Sequence, residues 1–65
     1  MRILVNGAWR ETAATDLAAA LEELGYGGST VATALNGEFV PASVRAAAAL
    51  TEGDRLEVLA PMQGG

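Results

Sequence analysis

Met1-Arg2-Ile3-Leu4-Val5-Asn6-Gly7-Ala8-Trp9-Arg10-Glu11-Thr12 opens the chain, and its reading decides the fold. Met1 to Val5 is a short, largely apolar run with β-branched members. Asn6-Gly7 is the dipeptide of the type I′ turn, whose two central residues both need positive φ. Residues 2–5 and 8–12 therefore read as an antiparallel hairpin. Side chains alternate across a strand, so Met1, Ile3 and Val5 are expected to point inward and Leu4 to the other face. Trp9, the single tryptophan, falls on the less apolar arm, where covering a sheet edge competes with service as a binding aromatic.

A helix follows. Leu17, Leu21 and Leu24 recur at i, i+4 and i+7 with Ala20 between them, which predicts an amphipathic helix over 16–24 whose leucine stripe is core. Thr15 offers a hydroxyl N-cap, Asp16 a negative charge in the first turn, and Gly25 the C′ stop. Tyr26 to Thr30 is a glycine-rich connection. Gly27-Gly28-Ser29-Thr30 invites comparison with a phosphate cradle, but it lacks the glycine–lysine signature and reads better as a loop. Val31 to Leu35 alternates larger residues with alanine, Asn36-Gly37 gives a second turn, and Glu38-Phe39-Val40 returns until Pro41, which lacks the ladder N–H. Residues 43–49 predict a brief helical turn with Ser43 as a weak cap, and Thr51-Glu52-Gly53-Asp54 a turn. Arg55-Leu56-Glu57-Val58-Leu59 is a last strand with Leu56 and Val58 inward. Two hairpins, one helix and a closing strand give an α+β chain. If the first and last strands pair in parallel at the sheet centre, it is a β-grasp, a mixed sheet of about four to five strands on one main helix. The domain is then residues 1–60, with 61–65 a flexible tail.

Composition narrows the functions. The chain has 65 residues, 51% hydrophobic and 18% charged, which is globular and small. A chain this size buries only about 60% of the surface its unfolded form exposes. No apolar run approaches the roughly 20 residues that span a bilayer, and no signal peptide is visible, so a cytoplasmic location without a membrane role is expected. Eight acidic residues against four arginines give a net charge of −4, which opposes a phosphate backbone and disfavours nucleic acid. A partner with a basic docking surface fits this balance; mild acidity also serves solubility, and charge alone does not choose. Cysteine and histidine are absent, which removes disulfides, thiolate nucleophiles, Cys/His metal sites and the imidazole base. No nucleophile is paired with a base, so the chain is not expected to be an enzyme by itself.

The last residues are Pro61-Met62-Gln63-Gly64-Gly65. Glycine accepts backbone angles that other residues refuse, so such a tail can thread a narrow channel, and five residues reach at most about 17 Å. Two readings stand side by side: a carboxylate delivered into another protein's active site, or a plain chain end.

Taken in order, Ile3-Leu4-Val5-Asn6-Gly7, Leu35-Asn36-Gly37-Glu38-Phe39-Val40-Pro41, Gly53-Asp54-Arg55-Leu56-Glu57-Val58-Leu59 and Pro61-Met62-Gln63-Gly64-Gly65 resemble the ThiS family of small sulfur carriers, relatives of ubiquitin that serve thiamine biosynthesis. The resemblance covers essentially the whole chain. Ala46–Ala49 departs from it in being less polar, at a place where no chemistry resides. The resemblance implies that Gly65 is the reactive residue and Gly64 the slender neck. A carboxylate is charged at neutral pH and a poor electrophile, so it must be activated. In the family an adenylating enzyme of the ubiquitin-activating (E1-like) type does this with ATP and Mg²⁺, which the carrier itself does not bind. A sulfur donor, such as a cysteine desulfurase or another persulfide carrier, then supplies the sulfur of a terminal thiocarboxylate, which passes to thiazole synthase.

Docking requires an apolar patch beside the tail, and Leu4, Leu59 and Met62 are the expected partner-binding residues; methionine adapts to irregular surfaces. Glu57 and Asp54 either steer basic partners or are solvated surface. A carrier for molybdopterin or another sulfur metabolite, a ubiquitin-like protein modifier, and an interaction module with an inert tail are the alternatives.

Overall fold

The computed structural model describes residues 1–27 and 30–60. The phosphate-cradle reading at Gly28-Ser29 and the tail residues 61–65, with Met62, Gly64 and Gly65, lie outside the described residues. Strands β1 (Arg2–Val5) and β2 (Ala8–Glu11) are followed by helix α1 (Leu17–Glu23). Strands β3 (Ala32–Leu35) and β4 (Glu38–Val40), a 3₁₀ turn (Ala42–Ala47) and strand β5 (Arg55–Leu59) complete the order. The five strands form one sheet in the order β2-β1-β5-β3-β4. β1 and β5 pair in parallel with Val5 opposite Leu56, and every other pairing is antiparallel. First and last strands thus lie together at the centre of a mixed sheet packed on one helix, which is the β-grasp arrangement.

Both Asn-Gly turns take the conformation their sequence demands, with φ of +50° and +85° at Asn6 and Gly7 and +52° and +85° at Asn36 and Gly37. Ile3, Val5, Leu56 and Val58 from the two central strands meet Leu17 and Leu21 of α1 in the main core. Ile3, Leu17 and Leu56 are fully buried, and each such side chain contributes about 1.5–3 kcal/mol. A smaller cluster of Ala14, Ala20 and Leu50 closes the end of the helix. Thr12 and Thr33 are buried polar residues, and both hydroxyls are bonded: Thr12 to Glu23, Thr33 to the Val40 carbonyl at 2.8 Å.

Three local expectations change. Met1 is 36% exposed rather than inward, because its nitrogen donates to the Thr12 carbonyl at the rim, past the edge of the core. The helix begins one residue later than Thr15 would start it. Asp16 is the N-cap, in extended backbone, and its carboxylate accepts the Ala19 N–H at 2.8 Å. Thr15 is diverted by its own main chain, whose carbonyl accepts the Leu50 N–H at 3.0 Å, while Ala48 accepts the Leu17 N–H at 2.9 Å. Ser43 is inside the 3₁₀ turn rather than capping it; Pro41 holds the cap position, without a side-chain hydrogen bond. The alanine run divides accordingly: Ala46 and Ala47 finish the turn, and Ala49 bridges to Asp16.

The helix ends as expected. Gly25 has φ +93°, its N–H donates to the Glu22 carbonyl, and Tyr26 N–H reaches back to Leu21 O at 2.8 Å, closing a Schellman motif.

Candidate docking face

The helix covers one face of the sheet and leaves the other open. Strand alternation decides what that face shows. Because Ile3, Val5, Leu56 and Val58 point to the helix, Leu4, Arg55, Glu57 and Leu59 point away from it. Through the register, Trp9 stands opposite Leu4, Ala34 opposite both Glu57 and Phe39, and Ala32 opposite Leu59.

The structure therefore places Leu4 and Leu59 on the same face, but not side by side. Leu4 pairs with Arg55, four residues before Leu59, a distance of about 13 Å along the strand. Leu4 is half-buried, beside Trp9, whose ring lies under the Arg2 guanidinium at 4.7 Å to the centroid. Trp9 is 51% exposed on the edge strand β2, so it covers the sheet edge while still presenting a surface.

The end nearer the tail has a different neighbour. Leu59 and Phe39 are each 69% exposed and flank a shallow groove floored by Ala32 and Ala34, with Asn6 and Gly7 at its far side. Small residues on β3 make this groove: alanine at both outward positions leaves a trough between Phe39 on β4 and Leu59 on β5. Among the described residues, Glu57 is the only charged one lining it. Phe39 was not among the residues that sequence reasoning assigned to docking. The signal was present in Glu38-Phe39-Val40, since an inward Val40 forces Phe39 outward.

Asp54 is held by its own turn. Burial by itself would raise its carboxyl, but hydrogen bonds from the Thr51 N–H, the Asn36 amide and the Thr51 hydroxyl outweigh that and hold it below its ordinary value. Its carboxylate is occupied in closing the turn before β5. Among the described residues no group of three or more His, Cys, Asp or Glu side chains could hold a metal ion, and no helix is long and apolar enough to cross a membrane.

The ThiS family matches residues 3–65. The chain belongs to the ThiS family. The crystal structure of the thiamine biosynthesis protein ThiS from Geobacter metallireducens superposes with a TM-score of 0.83 at 28% identity, covering 100% of both chains. A thiazole synthase from Paramagnetospirillum magneticum is 39% identical over 66 residues. The match takes in all of this chain but only 20% of that protein, so the chain spans a fifth of the length of this relative. The likeness to the Geobacter metallireducens chain, a thiamine biosynthesis protein, runs the full length of both chains.

Proposed function

We propose that the chain carries sulfur to thiazole synthesis as a thiocarboxylate on Gly65. The observation that carries the reading is the extent of the family match, which runs through the β-grasp domain and on through Gly64 and Gly65. In the first step the Gly65 carboxylate attacks the α-phosphate of ATP on an adenylating enzyme, forming an acyl-adenylate and releasing pyrophosphate. Mg²⁺ on that enzyme balances the phosphate charge. A persulfide sulfur then attacks the acyl carbon and displaces AMP. Thiol cleavage of the resulting acyl disulfide leaves the thiocarboxylate, whose sulfur passes to the acceptor enzyme. The carrier contributes no acid, base or metal ligand; it presents one carboxylate.

The groove between Phe39 and Leu59 is the docking surface in this account, with Leu4 and Trp9 extending contact toward the other end of the face. Its partner offers an apolar projection to fill the trough and a basic group opposite Glu57. Thiazole synthase as the acceptor is supported by the Paramagnetospirillum magneticum relative, in which a segment 39% identical to this chain belongs to a protein of that name. ATP–pyrophosphate exchange by the adenylating enzyme tests the first step. Exchange that requires this chain, and is lost when Gly65 is removed, is the expected result; exchange unaffected by removing Gly65 overturns the reading.

A further inference from the structure

We infer that Asn6 is a positioning residue for the tail, its carboxamide rather than a strand holding the last β1-facing rung of β5. The inference rests on the carrier reading above. β1 ends at Val5, and its final main-chain link to β5 is the Asn6 N–H donating to the Leu56 carbonyl at 2.9 Å. The chain then turns away at Asn6 and Gly7. Val58 faces the same side as Leu56, so its N–H and carbonyl look toward a strand that is no longer there. The Asn6 side chain fills the gap on both counts: its Oδ1 accepts the Val58 N–H at 2.8 Å, and its Nδ2 donates to the Val58 carbonyl at 3.1 Å.

Few residues meet this demand. The side chain must offer a donor and an acceptor in one plane, at a length that reaches the neighbouring strand, from a backbone with φ +50°. Asparagine tolerates that left-handed backbone; aspartate loses the donor, glycine loses both, and a β-branched residue resists the angle. Asn36 shows that the turn alone does not require the clamp. It sits in the same dipeptide with φ +52°, yet its amide splits between the Arg55 N–H at 2.9 Å and the Asp54 carboxylate at 3.1 Å. That second clamp secures the start of β5. The Asn6 clamp secures its outgoing end, two residues before Ala60, and with the Ala32–Leu59 pairing on the other side it fixes where the strand releases the tail.

Delivery of a carboxylate into an enclosed site is sensitive to such a hold, because a misplacement on the order of 1 Å can cost about 100-fold in rate. The test uses Asn6→Gly, which keeps the positive-φ turn and removes both hydrogen bonds. Leu50→Ala, in the smaller core cluster away from β5, is the control for general loss of stability. Both are assayed well below their melting temperatures with the adenylating enzyme, and amide exchange is followed at Val58. The expected result is native-like folding of Asn6→Gly, loss of protection at Val58 beyond its global destabilisation, and a fall in kcat of ten- to a hundredfold with KM changed far less. Leu50→Ala keeps the wild-type kcat. Wild-type kcat in Asn6→Gly, an equal fall in both variants, or a change confined to KM overturns the inference. A wild-type chain that the enzyme does not adenylate overturns the carrier reading and this inference with it.

Discussion

Leu59 stands directly opposite Ala32 across the β3–β5 ladder, and this pair of one large and one small outward side chain shapes the end of the sheet from which the tail departs. A larger residue at 32 would fill the groove. Alanine leaves Leu59 standing 69% exposed with open space beside it, and Phe39 rises on the other side at the same exposure. Exposed apolar residues scattered singly need no explanation, whereas these two wall one trough, which the proposed function uses as its docking surface.

Leu59→Asp and Phe39→Asp are therefore expected to weaken binding to the adenylating enzyme by at least about tenfold, or ~1.4 kcal/mol. The isolated protein should keep its stability to within about 1 kcal/mol, since both side chains are mostly in water already. Leu4→Asp, on the same face but beside Trp9 and Arg55, should cost less in binding than Leu59→Asp. Titration calorimetry against the enzyme, with urea unfolding of each variant, checks the order.

Asp54 predicts a pH dependence. Its carboxyl titrates below the ordinary value of 3.8 in the folded chain. The folded state therefore favours its ionised form, and the stability it contributes is fully present above that ordinary value and is lost as pH falls through the folded one. Asp54→Ala should be less stable than wild type at neutral pH, with a gap that narrows as pH drops below about 4. Urea midpoints of both proteins between pH 7 and 3 measure it, on the order of 1 kcal/mol for a half-buried group screened by solvent.

Gly25→Ala should destabilise by about 1–2 kcal/mol, because the residue is held at φ +93°, where a Cβ crowds the following carbonyl. No neighbouring atom would meet the new methyl, so the loss is backbone strain alone. Thermal unfolding measures it, and an unchanged melting temperature would deny the Schellman geometry.

What was legible in the sequence was whatever depends on neighbours along the chain. The limits of β1, the inward sets Ile3/Val5 and Leu56/Val58, the leucine stripe of α1 and the Gly25 stop all follow from periodicity and turn chemistry. The misjudged points are those decided by distant segments. Thr15 and Asp16 are both competent caps, and the choice falls to Asp16 because residues 48–50 run past the helix start and take up the Thr15 carbonyl. Both Asn-Gly pairs announce turns, yet the grip of Asn6 on Val58 spans 52 positions and has no local signature. Likewise the separation of Leu4 from Leu59 depends on the parallel register of β1 and β5, which strand patterns alone do not set.

The most direct test of the carrier account is the intact mass of the chain after incubation with ATP, Mg²⁺, its host's adenylating enzyme and a sulfide source. The account predicts a gain equal to replacing one oxygen by sulfur, absent when Gly65 is deleted and absent without ATP. An unchanged mass, with an enzyme proven active on another carrier, would contradict it.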